Sequence, residues 1–301
     1  MAKDGAEIIE SGHAAIGPTA LKAPTIRLPK ILRDPFFVLA STVLTAVFLM
    51  ALFADLIYPT DPLDMVAMPF LWPGDEPEFP LGSDQLGRDL AAGIVHGSRA
   101  SLLVGFASAL MGLLIGTTVG SVAGYFGGKV DLALVRLTEI FQTMPTILLI
   151  VVILAIGDPS VWLIALSIGL ASWPMIARLS RAEFMRLRGA DFVVAARGLG
   201  YGTPRIILSE ILPNALPTIT VAASVLVANG ILLESAVSFL NLGDPNVVSW
   251  GSLIGAGRTE IRTEWYLSGL PGLCIVFTVL SLNIMGDRLT DILNPRSALR
   301  G

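Results

Sequence analysis

Residues 193–214 read VVAARGLGYGTPRIILSEILPN, a glycine-containing and partly polar stretch between two long apolar runs. Asp191, just before it, can cap a first helix. Gly200 can end that helix in the left-handed conformation. Thr203 followed by proline is a second start signal. We therefore predict helix, turn, helix, with the second helix ending near Pro213.

The composition around this stretch is that of a membrane protein. The chain has 301 residues, 53% of them hydrophobic and only 15% charged, with a mean hydropathy of +0.74. A helix needs roughly 20 apolar residues to cross a bilayer. Six segments come near that length: Phe36–Tyr58, Ser101–Gly124, Glu139–Ile156, Val161–Leu179, Ala215–Ser238 and Trp265–Met285. We predict an all-α membrane protein with six transmembrane helices.

Lysine and arginine set the expected orientation, because they concentrate on the cytoplasmic side of membrane proteins. With a cytoplasmic N-terminus, 16 of the 20 basic residues lie inside, so both termini are predicted to be cytoplasmic. The predicted organisation is a cytoplasmic tail (1–35), a first transmembrane helix (36–58), an external loop (59–98), a five-helix core (99–290) containing a cytoplasmic loop (180–214), and a C-terminal tail (291–301).

The cytoplasmic loop has features of a docking surface. Ala195 and Ala196 are small, so the surface of a partner can approach closely at that point. The arginines of the loop keep the region out of the bilayer. We interpret the two predicted helices as an element held by a cytoplasmic partner.

Signals for chemistry on this chain are missing from the sequence. No G-x-x-x-x-G-K-[ST] phosphate loop occurs, and GLGYG is not preceded by a strand, as a dinucleotide fingerprint requires. One cysteine and two distant histidines exclude a disulfide framework and a histidine cluster. We predict no catalytic residue, no metal site and no cofactor on this chain, and no nucleic-acid partner.

A glycine series marks the second predicted span. Gly112, Gly116, Gly120 and Gly124 recur every four residues and share one helical face. Small residues at this spacing let another helix backbone come close. The partner helix lies either in this chain or in a second subunit, and the spacing does not choose between them.

Three polar or flexible residues are candidates for a substrate path. Gln142 and Met144 precede Pro145. They either line the path or belong to the start of a helix at the membrane interface, which then continues into a proline kink. Glu234 lies near the outer end of the fifth span. It is either a gate or subunit contact, or a helix-end carboxylate at the external surface. The second interpretation is favoured.

The stretch AARGLGYGTPRIILSEILPNALP resembles the cytoplasmic EAA loop of permease subunits in binding-protein-dependent ABC importers. The motif places Glu-Ala-Ala before a glycine, with Leu-Pro about a dozen residues later. Ala195, Ala196, Gly200, Leu212 and Pro213 match it. The glutamate position holds Val194, and Asp191 offers a nearby acid. We call residues 180–214 the coupling loop.

Other stretches resemble the C-type permease of dipeptide, oligopeptide, glutathione or nickel importers. They are FPLGSDQLGRDLAAGIVHGSRASLLVG (79–105), ILLESAVSFLNLGDPNVVSWGSLI (231–254) and LPGLCIVFTVLSLNIMGDRLTDILNPR (270–296). The resemblance implies the type I importer permease fold in a bacterial inner membrane. It also implies a second homologous permease, two ATPase subunits that bind ATP and magnesium, and an extracytoplasmic substrate-binding protein.

Two other functions fit the sequence less well. An ion-gradient-driven secondary transporter tends to place acids or broken helices near the bilayer midplane, whereas the spans here hold few ionisable residues. A membrane scaffold that only anchors a partner requires neither six spans nor a glycine-lined helix.

Overall fold

The structure, a computed structural model, describes residues 34–293, with side chains described through residue 289. Most of the predicted tails 1–35 and 291–301 therefore lies outside the described residues. Within the described part the chain is mostly helical, and its only bridges between extended residues are isolated ones, Met65 with Arg88 and Ser83 with Asp89. The helices are α1 (Pro35–Leu52), α2 (Ala54–Ile57), α3 (Leu90–Phe126), α4 (Gly128–Thr143), α5 (Thr146–Ile156), α6 (Val161–Leu187), α7 (Asp191–Gly198), α8 (Thr203–Arg205), α9 (Leu212–Phe239), α10 (Trp250–Ala256) and α11 (Tyr266–Leu293).

Capping side chains stabilise the first turns of several helices, among them α1 and α3. The carboxylate of Asp34 accepts a hydrogen bond from the Phe36 N–H at 3.0 Å and begins α1. Asp89 does the same for α3 through the Ala91 N–H at 2.8 Å. Burial raises the pKa of the Asp89 carboxyl, and hydrogen bonds from backbone N–H groups oppose that rise. Helix α3 therefore begins at Leu90, inside the range 59–98 that the sequence assigned to the external loop.

Five described helices are long and apolar enough to cross a membrane, and a sixth span exists if α4 and α5 count as one bent span. These two helices meet at an angle of 82° next to Pro145. Proline in a helix interior removes a hydrogen bond and clashes with the preceding turn. The predicted membrane fold is thus confirmed, but the third span, Glu139–Ile156, is broken rather than kinked.

Helices α3 and α6 form the most extensive helix pair of the described core. Helix α9 packs against both of them and against α11. The N-terminal α1 lies on the outside of this bundle against α3 and α11. An ion pair between Asp34 and Arg288, at 2.7 Å, joins the start of α1 to the last turns of α11.

Residues 58–89, between α2 and α3, fold onto one end of the bundle. The hydroxyl of Tyr266, at the start of α11, donates to the Leu71 carbonyl at 2.8 Å. The indole N–H of Trp250, at the start of α10, donates to the Ile94 carbonyl at 2.9 Å. Both aromatic side chains are fully buried. Residues 58–89 and α10 thus form a cap over that end of the bundle.

Candidate functional site

The first half of the coupling loop is a short helix with a well-defined end. In α7, the N–H of Gly200 donates to the Arg197 carbonyl and the N–H of Tyr201 donates to the Ala196 carbonyl, each at 3.0–3.1 Å. This pair of hydrogen bonds is the Schellman motif, which requires a left-handed residue. Gly200 has φ +81°, as expected from the sequence.

Asp191 does not cap this helix as predicted. Ala190 is the capping residue, and no side chain hydrogen-bonds to the first turn. Asp191 is instead the first helical residue, where its negative charge still interacts favourably with the positive end of the helix dipole. The sequence places an acid at the right turn, but one residue too late to act as the cap.

The second half of the coupling loop is not a separate helix. It starts after Gly202 rather than after Thr203, and it does not stop near Pro213. Helix α8 continues through a π-helical segment, Ile206–Ile211, into α9, so that residues 203–239 form one helix of 37 residues.

The π-helical segment explains why Pro213 does not end the helix. The N–H of Leu212 reaches back five residues to the Ile207 carbonyl. Proline has no N–H to offer and crowds the turn before it. A π turn widens the helix at that point and relieves the clash, and such turns are frequent at functional sites.

One side of the coupling loop is buried against the bundle and the other is exposed. Val193 and Ala196 pack with the buried side chains of Phe184 and Ile206. Residues of the exposed side are Asp191, Val194, Ala195, Leu199, Leu208 and Pro213, and Leu212 is half-buried. Val194, at the motif's glutamate position, is 57% exposed and Leu199 is 74% exposed. Several apolar side chains of the loop thus face away from the bundle.

Arginines fix the coupling loop to the end of α3. The guanidinium of Arg188 donates to the carbonyls of Gly124 and Tyr125 at 3.2 and 3.3 Å. That of Arg197 lies 5.6 Å from the centroid of the Tyr125 ring. A cation at the C-terminal end of a helix satisfies free carbonyls and favours the helix dipole. The loop therefore has a fixed position relative to the transmembrane bundle.

The glycine series of α3 faces α6 of the same chain. A β-carbon on Gly116 would lie 2.6 Å from the Ile176 β-carbon, and one on Gly124 would lie 2.6 Å from the Arg181 carbonyl oxygen. Gly120 is equally tight against α6, whereas Gly112 has its nearest neighbour at 3.7 Å. The structure thus places the partner helix inside the chain.

Glu234 lies in a buried polar cluster and not at the external surface, so the favoured sequence interpretation was wrong. The residue is 2% exposed. Its carboxylate accepts hydrogen bonds from the hydroxyls of Ser238 at 2.7 Å and Ser101 at 3.2 Å. The Ser101 oxygen also accepts the backbone N–H of Trp250. Glu234 therefore links α9 to α3 and, through Ser101, to α10.

Replacement of Glu234 by alanine is expected to destabilise the protein. The serine hydroxyls would lose their acceptor inside the bundle, at a cost of about 1–3 kcal/mol for each buried polar group left unsatisfied. Glu234→Gln keeps the shape and one acceptor oxygen, so it should lose less. Thermal unfolding of the purified proteins in detergent should give melting temperatures that fall in the order wild type, Glu234→Gln, Glu234→Ala. Equal melting temperatures for alanine and wild type would contradict the assigned role.

The remaining substrate-path candidates lie where α4 ends. Gln142 and Met144 are both exposed. Gln142 lines a cavity that Gly120 also lines, whereas Met144 is not among the residues of that cavity. Glu234 lies against another part of α3, because its partner Ser101 comes 19 residues before Gly120, a helical distance of about 28 Å. The three candidates therefore do not form one site.

Comparisons with known proteins identify the family. Residues 116–298 match the model of the binding-protein-dependent transport system inner membrane component. The di/tripeptide transport system permease protein DppC of Pseudomonas aeruginosa is 37% identical over 252 residues, which cover 82% of this chain and 83% of that protein. The dipeptide transport system permease protein DppC of Haemophilus influenzae is 33% identical, covering 82% and 86%.

Solved structures share the fold. An inward-facing structure of the MetNI methionine ABC transporter superposes with a TM-score of 0.58 at 19% sequence identity, covering 67% of this chain and 96% of that chain. An amino acid ABC transporter crystallised with histidines gives a TM-score of 0.52 at 14% identity, covering 66% and 94%. Together with the family match and the apolar helices, this likeness shows a multi-pass membrane protein. The chain belongs to the family of binding-protein-dependent transport system inner membrane components and is a permease subunit of an ABC importer.

Proposed function

We propose that this permease forms, with a second homologous permease in a bacterial inner membrane, the pathway for uptake of peptides or a related small solute. Dipeptides and oligopeptides are favoured, because similar proteins are named for di/tripeptide, dipeptide and oligopeptide transport. Glutathione and nickel chelates remain in the proposed class. A substrate-binding protein delivers the solute at the external cap.

Two ATPase subunits dock on the cytoplasmic side in this proposal, one of them on the coupling loop. ATP and magnesium bind to those subunits, and this chain holds no cofactor. The observation that carries the assignment is the exposed apolar side of the loop, which includes Val194 and Leu199. This side belongs to an element that continues as residues 203–239 through the bundle. Movement of a docked ATPase therefore acts directly on a transmembrane helix.

Purification of the tagged permease tests this function. We expect the second permease and two ATPases to co-purify, and a peptide-loaded binding protein to stimulate ATP hydrolysis by the reconstituted complex. Uptake that needs no ATPase and stops when a protonophore dissipates the ion gradient would instead indicate a secondary transporter. Leu199→Asp, on the exposed side, should weaken ATPase binding, whereas Lys129→Gln, outside the loop, should leave it unchanged.

The orientation of the chain is a separate prediction. In a variant without Cys274, a cysteine introduced at exposed Asp75 should react with a membrane-impermeant maleimide added to intact cells. One introduced at Arg186, also exposed, should react only after the cells are opened. The positive-inside distribution of basic residues is the physical reason. Labelling at position 186 in sealed cells would reverse the orientation.

A further inference from the structure

A cavity of about 260 Å³ lies between α3, α4 and α6. Helix α4 contacts α6 on both sides of it. At one side Arg181 forms an ion pair with Asp131, with Nη2 and Oδ2 2.7 Å apart. At the other, the Phe141 and Trp173 rings meet edge to face, 5.2 Å between centroids. These two contacts hold the helices in place while the space between them stays open.

The charges around the cavity do not balance. Arg181 is matched by Asp131. Glu139, which lines the cavity, is matched by Arg136 at 2.7 Å. Arg178 also lines the cavity, and no acidic side chain of the described part forms an ion pair with it. The cavity therefore has one unmatched positive charge.

Arg178 lies at the end of a span and is open to a ligand. It is exposed on the surface of the chain, one residue before the end of the predicted span Val161–Leu179, and its neighbour Ala177 contacts Gly120. A charged group at such a position faces water or a partner. A planar guanidinium binds a carboxylate through two parallel hydrogen bonds. The exposed amide of Gln142, on the same cavity, adds a donor and an acceptor.

We propose that this cavity is a transient binding site on the import pathway, in which Arg178 binds the carboxylate of a peptide and Gln142 hydrogen-bonds to its backbone. This inference rests on the proposed function, because it requires a peptide to pass through this subunit. Glu139 stays paired with Arg136 and leaves the site net positive, which favours the carboxylate end of a zwitterionic peptide.

The test uses the complete complex in proteoliposomes with saturating loaded binding protein. The probe is a tritiated alanyl-photoleucine dipeptide, whose diazirine forms a covalent bond with neighbouring residues on illumination. Arg178→Gln removes the charge and Arg178→Lys keeps it. Lys129→Gln removes an exposed cation from α4 outside the cavity and is the matched control.

Arg178→Gln is expected to lower dipeptide uptake at least tenfold and to abolish crosslinking to peptides containing residues 134–142 or 177–181. Assembly and binding-protein-stimulated ATP hydrolysis should remain, Arg178→Lys should recover much of the uptake, and Lys129→Gln should match wild type. Loss of the second permease from the Arg178→Gln complex would show a subunit contact instead and overturn the site. Unchanged uptake or crosslinking would overturn it as well. If the wild-type complex imports no dipeptide, the substrate class in the proposed function is wrong and the inference fails with it.

Discussion

Gly200→Val should yield a permease that inserts into the membrane but no longer couples ATP hydrolysis to transport. Gly200 has φ +81° and closes α7 through the Schellman hydrogen bonds. An L-residue in the left-handed region costs about 1–2 kcal/mol, and a β-branched side chain is especially disfavoured there. The strain falls on the turn that joins α7 to residues 203–239. We expect uptake to fall at least tenfold, with weak ATPase binding or uncoupled hydrolysis.

Gly200→Asn is the matched control for this variant. A β-carbon at Gly200 meets no atom within 4 Å, so neither substitution clashes at that atom, and the two side chains, similar in size, differ in their preference for the left-handed backbone. Asparagine adopts the left-handed conformation far more readily than valine. Co-purification, ATP hydrolysis and uptake should therefore stay near wild type with asparagine. Wild-type assembly and uptake with valine would show that this loop is not the joint between ATPase and permease.

Gly116→Leu should prevent most copies of the permease from assembling into the transporter complex. The β-carbon alone would lie 2.6 Å from the Ile176 β-carbon and 2.7 Å from the Trp173 carbonyl oxygen. Both atoms are fixed to the backbone of α6, so the helices must separate. Extra methylene groups in a packed core typically cost about 1–3 kcal/mol, and more where the backbone must move.

Gly112→Ala tests whether tight spacing is the cause. A β-carbon there has its nearest neighbour at 3.7 Å, an ordinary van der Waals distance. The yield of complex, followed by size-exclusion chromatography, should be near wild type for Gly112→Ala and low for Gly116→Leu. Full assembly and transport by Gly116→Leu would contradict the close packing of α3 on α6.

Local signals in the sequence predicted much of the fold. Apolar runs located the spans because each must cover the hydrocarbon core, and Gly200 was recognisable because few other residues adopt its conformation. The glycine series showed a close helix contact. Its partner, α6, was not predictable, because the spacing of small residues describes one surface only.

The failures involve interactions between distant residues or competing local rules. Glu234 was expected at the surface because it lies near a helix end, but Ser101, 133 positions earlier, supplies a buried partner. Pro213 was expected to end a helix, because proline usually does, and the π-helical segment overcame that preference. The site around Arg178 was not predictable either, since its cavity forms from three separate helices.

The helix of residues 203–239 has the geometry of a lever. At 1.5 Å per residue, its 37 residues span about 55 Å. Its regular hydrogen bonding is interrupted at Ile206–Ile211 and at Pro217, both near the end that joins α7, and helices bend at such interruptions. The longer arm beyond Pro217 carries Glu234 near its tip. A tilt of a few degrees at this fulcrum would displace the tip by a few ångströms, and the contact of Glu234 with Ser101 would pass that displacement to α3 and α10.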